Sequence, residues 1–138
     1  MNLTKKQKTK IKRIAGKHNL KLIIAFGSSV TGKTHKESDI DIAVLPKENG
    51  FDNQMYLDLN DKFTGLFNGR KIDLSFINRA DPLLLSKICG DSVLLYGNLR
   101  AYRDLKLYSF KRYADYMPYF GMEEKYVNKF VREFASAG

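Results

Sequence analysis

The chain has 138 residues, of which 43% are hydrophobic and 28% charged, and its formal net charge is +9. This mixture is typical of one folded domain, and no apolar run reaches the roughly 18 residues that a membrane span needs. The basic N-terminus lacks the apolar stretch of a secretory signal, and the single cysteine, Cys89, excludes an internal disulfide. We therefore expect a cytoplasmic protein with Cys89 as a small core residue.

The N-terminal segment carries the excess of positive charge. Residues 1–36 contain ten Lys or Arg and no Asp or Glu, whereas the rest of the chain sums to −1. Thr4 predicts the cap of a helix to about His18, with a thin apolar stripe of Ile11, Ile14 and Ala15. A solvated basic face explains this charge more simply than a surface for polyphosphate, RNA or an acidic protein. Nucleic-acid binding is not favoured, because no RGG, zinc-knuckle or RNP-like motif is present.

Three apolar runs predict strands in the middle of the chain. Residues 21–26 form the first, and a polar loop separates it from the second, residues 39–45. Helical spacing predicts a helix over residues 51–67, which Asn68-Gly69 ends. Residues 71–77 alternate strictly between apolar and polar positions and predict the third strand.

The remainder of the chain predicts further helices and a fourth strand. Asp81 is expected to cap a helix that has Pro82 in its first turn and ends at Gly90. A short extended piece at residues 93–96 precedes a helical region over about 98–136, which we expect to be interrupted near Pro118 and Gly121. That region ends in an amphipathic stripe: Val127, Phe130, Val131 and Phe134. The order predicts one small mixed α/β (α+β) domain over residues 1–138, with a core at about 20–97.

One phosphate-binding pattern is a false match. The segment GSSVTGKT, residues 27–34, satisfies the Walker A pattern and follows an apolar strand. A P-loop must open a helix that crosses back to a parallel strand, and such a crossover needs roughly a dozen residues. Only residues 35–38 separate the pattern from the next strand. We therefore predict that Lys33 is a solvated loop residue and not part of a phosphate cradle.

The carboxylates beyond this loop indicate a different chemistry. Asp39 and Asp41 are two residues apart on a strand, so their side chains share one face. Adjacent carboxylates repel each other unless a cation lies between them, and oxygen ligands favour Mg²⁺ or Mn²⁺. Asp73 lies in the middle of a later apolar strand, where an unpaired carboxylate is unusual. Three such aspartates on neighbouring strands can hold two divalent ions for phosphoryl chemistry.

The full segment FGSSVTGKTHKESDIDIAVL, followed by KIDLSFI, resembles the signature of DNA polymerase β-type nucleotidyltransferases, and its spacing is similar to that of the minimal nucleotidyltransferases (MNT). The resemblance implies a nucleotidyltransferase fold with helices flanking the sheet. It implies that Asp39, Asp41 and Asp73 are the catalytic metal ligands. It further implies that Gly27, Ser28 and Ser38 bind the triphosphate of ATP. The chain departs from many relatives in having Ser29 or Thr31 where those carry arginine, which implies either a weaker hold on the triphosphate or a role for Lys33 in its place.

The same resemblance implies a partner. Stand-alone MNT proteins of this size are commonly antitoxins that add AMP to a tyrosine of a HEPN-domain ribonuclease. The basic N-terminal helix and the C-terminal apolar stripe are the surfaces expected to face that partner, although the stripe could instead pack on its own domain. Two alternatives remain open: an antibiotic-type enzyme acting on a small molecule, and a binding antitoxin without catalysis.

Overall fold

The computed structural model describes residues 1–31, 39–50 and 52–136, with side chains in the last range described to 119 and at 129, 132 and 133. Its helices and strands alternate along the chain. In chain order they are α1 (Lys5–Lys17), β1 (Leu20–Phe26), α2 (Ser28–Thr31), β2 (Ile40–Pro46), α3 (Asn53–Leu66), β3 (Ile72–Phe76), a 3₁₀ turn (Ile77–Arg79), α4 (Pro82–Cys89), β4 (Ser92–Tyr96) and α5 (Leu99–Ser136). The mixed α+β class predicted from the sequence is confirmed.

The four strands form one mixed sheet in the order β3-β2-β1-β4. β1 is antiparallel to both of its neighbours, whereas β2 and β3 are parallel. The register places Phe26 at the end of β1 opposite Asp41, and Asp41 opposite Asp73. The sheet therefore brings residues that are 15 to 47 positions apart in sequence to one edge of the fold.

Local capping explains where three of the helices begin. Thr4 and Gln7 form a reciprocal capping box at the start of α1. Asp52 caps α3 through the Gln54 amide, and Asp81 caps α4, whose first residue is Pro82. The predicted caps at Thr4 and Asp81 are confirmed, whereas α3 begins two residues later than the predicted position 51, because Asp52 supplies its cap.

Both faces of the sheet are covered by helices. α1 and α3 pack on one face through a cluster that includes the fully buried Ile11, Leu59 and Phe63. α4 and the beginning of α5 pack on the other face, where Ile88 and Tyr102 join side chains of β1. Buried side chains of β1, β2 and β3 account for most of this core, so the sheet is a rigid platform for the side chains at its edge.

The C-terminal region differs from its prediction. We expected an interruption near Pro118 and Gly121, but one helix, α5, runs from Leu99 to Ser136 with Pro118 inside it. A proline within a helix removes the hydrogen bond to the carbonyl four residues earlier, and a glycine costs about 1 kcal/mol relative to alanine. The strong helix formers on either side of these residues therefore outweigh two local defects.

Candidate active site

The central feature of the site is a pair of carboxylates on parallel neighbouring strands. Asp41 on β2 and Asp73 on β3 are direct register partners, and their side chains are joined by a hydrogen bond. Asp41 is half-buried and Asp73 is exposed. Alternation along β2 and β3 turns the apolar neighbours of both residues into the core, which leaves the two carboxyl groups together at the surface of the sheet.

The pair is electrostatically strained without a cation. The pKa of Asp41 is raised to about 6, first by burial, then by the charge of Asp73 and the hydrogen bond to it, and last by the charge of Asp39. A hydrogen bond between two carboxyl groups requires a proton on one of them, and a divalent cation provides the same compensation at neutral pH. Oxygen donors with this surplus of negative charge suit Mg²⁺.

Asp39 lies beside the pair but is not part of it. Its carboxylate makes an ion pair with Lys71, at 3.9 Å, and both side chains are largely accessible to solvent, at 43% and 81%. Within residues 1–31, 39–50 and 52–136, no three His, Cys, Asp or Glu side chains are grouped so as to hold a metal ion. The contact with Lys71 is a surface ion pair worth roughly 0–1 kcal/mol, so it is a weak restraint on the Asp39 side chain. A site with all three aspartates as ligands stays a prediction.

Gly27 contacts the pair at the end of β1. A Cβ atom at this position would lie 2.5 Å from Oδ2 of Asp41, and the residue has a φ of +72°. Both the space and the backbone conformation therefore require glycine. The Gly27 amide donates a hydrogen bond to the Asp91 carbonyl, at 3.2 Å. Gly27 thus supports the site by leaving room beside Asp41, while its amide holds β1 to the segment before β4.

The other two predicted nucleotide contacts have different outcomes. Ser28 is half-buried and begins the single-turn helix α2 next to Gly27, so it lies at the edge that carries the carboxylates. The neighbouring Ser29 hydroxyl donates to the Phe26 carbonyl, at 3.0 Å, and stabilises the turn. Ser38 and Lys33 lie outside the described residues.

The antiparallel pairing of β1 and β2 confirms that the GSSVTGKT segment is not a P-loop, which requires a parallel crossover.

A cleft of about 570 Å³ opens beside the carboxylate pair, and its size is in the range of small-ligand sites. Its walls include Gly27, Asp41 and Asp73, together with polar side chains that sequence reasoning missed: Ser75, Lys87 and Asp91. Among the described residues that line this cleft, Lys87 is the one lysine or arginine. It lies in α4, between the buried Ile88 and the half-buried Ser86, in a segment without a recognisable motif.

The raised pKa of Asp41 predicts an unusual stability effect. Its folded pKa of about 6 exceeds its ordinary value of 3.8, so the folded state is penalised as pH rises from about 4 to 6, and above that range the penalty is constant. Asp41→Asn should therefore unfold at a higher temperature than the wild type at about pH 7.5 in EDTA. We expect a gain on the order of 1 kcal/mol after solvent screening, and no gain at about pH 4.

Thermal unfolding at both pH values, with and without Mg²⁺, measures this difference. Added Mg²⁺ should stabilise the wild type more than the variant, because the cation removes the repulsion that the substitution has already removed. A variant that is less stable than the wild type at neutral pH in EDTA would show that the carboxylate pair is not strained.

Comparison with known proteins identifies relatives of this fold. Residues 9–100 match the family model described as polymerase beta, nucleotidyltransferase, and no curated protein matches the chain. A chain of a toxin–antitoxin complex crystallised with AMP-PNP is similar over 91% of this chain and 98% of its own, with a TM-score of 0.70 and 24% identity.

Two further solved structures are similar. One contains a tri-AMPylated Shewanella oneidensis HEPN toxin with its MNT antitoxin, with a TM-score of 0.65, 22% identity, and coverage of 91% of this chain and 96% of that chain. The other is the toxin–antitoxin MntA-HepT, with a TM-score of 0.66, 21% identity, and coverage of 94% and 99%. At these identities the likeness shows the fold.

Among the described residues, no helix combines the length and the hydropathy of a transmembrane span.

Proposed function

Because this chain belongs to the polymerase β nucleotidyltransferase family, we propose that it transfers AMP from ATP, with Mg²⁺, to a hydroxyl group of a partner protein. The partner is a HEPN-domain toxin, which the chain neutralises as a cytoplasmic antitoxin. The observation that carries this proposal is the Asp41–Asp73 pair, strained by like charge and placed beside Gly27 in an open cleft. A similar solved structure contains an MNT antitoxin in complex with a tri-AMPylated HEPN toxin, which supports a HEPN toxin as the acceptor of AMP.

The aspartates of the site are proposed to bind the metal ions and to accept a proton. Asp41 and Asp73 would hold two Mg²⁺ ions with Asp39, after that side chain leaves Lys71. Ions held there would supply the positive charge that neutralises the triphosphate and polarises its α-phosphate. The acceptor oxygen then forms a bond to the α-phosphorus, the bond to the bridging oxygen breaks, and pyrophosphate leaves. Asp73 is proposed to receive the proton of the acceptor hydroxyl, because it is the more exposed carboxylate of the pair.

Lys87 is proposed to contact the triphosphate. The resemblance to the minimal nucleotidyltransferases implies an arginine where this chain has Ser29 or Thr31, so another cation is needed for the triphosphate. Lys87 lines the same cleft as the two aspartates, on a helix that is anchored by the buried Leu85 and Ile88. A single cation there can form charge-assisted hydrogen bonds with phosphate oxygens.

Lys87→Ala should lower kcat/KM for ATP by roughly 10- to 100-fold, which corresponds to the loss of one or two charge-assisted bonds. Steady-state AMP transfer at varied ATP concentration measures this loss. Lys87→Arg keeps the charge and should retain most of the activity. If Lys87→Ala leaves kcat/KM for ATP unchanged, the triphosphate is held by other residues.

The partner is proposed to bind α5. This helix has 38 residues and is about 57 Å long, and Tyr102 in its first part packs on α4 and the sheet. Among its described side chains it exposes large apolar residues: Leu107, Tyr108, Phe110, Met117 and Tyr119. A series of this kind on one element is typical of a protein-binding surface. The predicted stripe, Val127 to Phe134, lies outside the described side chains.

Co-expression with a HEPN toxin tests the function. Asp39→Ala should still bind the toxin through α5 but should lose both AMP transfer and the protection of growing cells. If the Asp39→Ala protein protects cells fully, contact alone neutralises the toxin and the non-catalytic alternative is correct.

A further inference from the structure

A basic groove lies between α1 and α3, on the face of the sheet that α4 and α5 do not cover. It encloses about 730 Å³, and the apolar side chains of Ile14 and Leu66 form part of its lining. Its positively charged residues are three from α1 and one from α3: Lys10, Arg13, Lys17 and Lys62. Among the described residues that line it, Asp61 is the one carboxylate.

The charges of α1 are arranged unfavourably for an isolated helix. Like charges three or four residues apart destabilise a helix, and α1 contains several such pairs. They are Lys5–Lys8, Lys6–Lys10, Lys8–Lys12, Lys10–Arg13 and Arg13–Lys17. The first turn contains no acidic residue, so its lysines also oppose the helix dipole. The sequence of α1 thus departs repeatedly from the charge pattern that stabilises a helix, and no acidic residue within α1 offsets the repulsion. Such departures are expected at functional surfaces, and a row of positive charges suits an anionic ligand.

The chemistry of the groove favours a phosphate backbone over an acidic protein. Lysine is depleted in protein interfaces, whose centres are usually apolar and aromatic. None of the exposed large apolar side chains of the described residues lines this groove; those on α5 lie on the opposite face. A phosphate chain needs no apolar centre, because lysine and arginine supply its affinity through the release of counterions. Lys10, Arg13 and Lys17 follow one side of α1 over about 10 Å, as a line of cations along a strand would require.

We propose that the groove between α1 and α3 binds the phosphate backbone of single-stranded RNA. This activity goes beyond the proposed AMP transfer, since among the described residues none lines both the groove and the cleft that contains Asp41 and Asp73. A cavity of this volume accommodates a few nucleotides of one strand. Contacts to phosphate carry no base information, so binding should be insensitive to base sequence and strongly dependent on salt.

The test compares two variants with the same change in net charge. The groove variant replaces its four cations by glutamine: Lys10, Arg13, Lys17 and Lys62. The control variant replaces four exposed cations of α5 by glutamine: Arg100, Arg103, Lys111 and Arg112. Removing repulsion within α1 should leave the groove variant at least as stable as the wild type, and thermal unfolding verifies this.

Fluorescence anisotropy with a labelled single-stranded RNA of about 20 nucleotides, between roughly 50 and 200 mM salt, measures binding. The slope of log K against log salt should fall by roughly 3 in the groove variant, at about 0.7 for each lost phosphate contact, and should be unchanged in the control. A DNA strand of the same sequence should bind through the same residues, because the phosphate chemistry is shared.

Two results would overturn the proposal. Equal losses in both variants would show that net charge, and not the groove, attracts the RNA. Absence of RNA binding by the wild type, together with loss of toxin binding in the groove variant, would assign the groove to an acidic protein surface. Binding of ATP with Mg²⁺ by the groove variant should be unchanged, because none of its four replaced residues lines the cleft that contains Asp41 and Asp73. Failure of the RNA proposal is therefore distinguishable from failure of the proposed function.

Discussion

Asp41→Asn should reduce the rate of AMP transfer by roughly 100- to 1,000-fold. Asp41 contacts both Asp73 and Gly27. Burial and the charge of Asp73 raise the pKa of Asp41 to about 6, so the folded protein holds this negative charge at an electrostatic cost. An amide supplies one neutral oxygen in place of a carboxylate, which weakens the binding of Mg²⁺ and leaves the negative charge of the triphosphate without compensation. Losing one preorganised electrostatic contact at a reacting phosphate costs roughly 3–4 kcal/mol.

Incorporation of labelled AMP into the partner, measured in single turnovers, gives this rate. Asp104→Asn is the matched control, because Asp104 is an exposed aspartate of α5 that lies outside the cleft, and its rate should equal that of the wild type. The variant should still fold, since the same substitution is expected to raise its stability at neutral pH. An Asp41→Asn protein that transfers AMP within about tenfold of the wild-type rate would exclude this carboxylate as a metal ligand.

Gly27→Ala should also abolish transfer, for a steric reason. The new Cβ would lie 2.5 Å from Oδ2 of Asp41, so the carboxylate must move away from Asp73 or β1 must shift. The residue would also keep an unfavourable φ of +72°. We expect a loss of about 1–3 kcal/mol in the free energy of unfolding, together with a transfer rate near the background.

Gly69→Ala separates these two causes. Gly69 has a φ of +82°, but a Cβ there meets no atom within 4 Å. Gly69→Ala should therefore lose comparable stability from backbone strain while it transfers AMP at the wild-type rate. If both variants lose transfer equally, general destabilisation accounts for the effect of Gly27→Ala and the contact with Asp41 does not. Chemical denaturation of both variants measures the free energy of unfolding, and single-turnover experiments measure the rate of AMP transfer.

Much of this fold follows from local patterns in the sequence. Alternation at Ile72, Leu74 and Phe76 predicts a strand whose other face carries Asp73, and the structure buries those three side chains. The two-residue spacing of Asp39 and Asp41 predicts their common direction. Side-chain caps at Thr4 and Asp81 predict the first residues of two helices. Each of these features depends on residues close together in sequence, so a single pattern is sufficient to find it.

Features that depend on tertiary packing were not predictable in this way. Lys87 joins the cleft only because α4 packs against β1, and no spacing in the sequence connects it with Asp41. The Lys71 contact of Asp39 depends on the pairing of β2 with β3, which places the residues just before both strands side by side. The continuity of α5 through Pro118 depends on a balance of small propensity terms that the proline rule does not include.

The mass of a HEPN-domain partner after incubation with this chain, ATP and Mg²⁺ tests the central claim most directly. The carboxylate pair at Asp41 and Asp73 predicts that the wild-type protein adds one or more AMP units to a hydroxyl side chain of the partner. It also predicts no addition in EDTA, and none with Asp41→Asn in Mg²⁺. An unchanged partner mass with the wild-type protein, while the two proteins still bind and the toxin is still neutralised, would contradict the account.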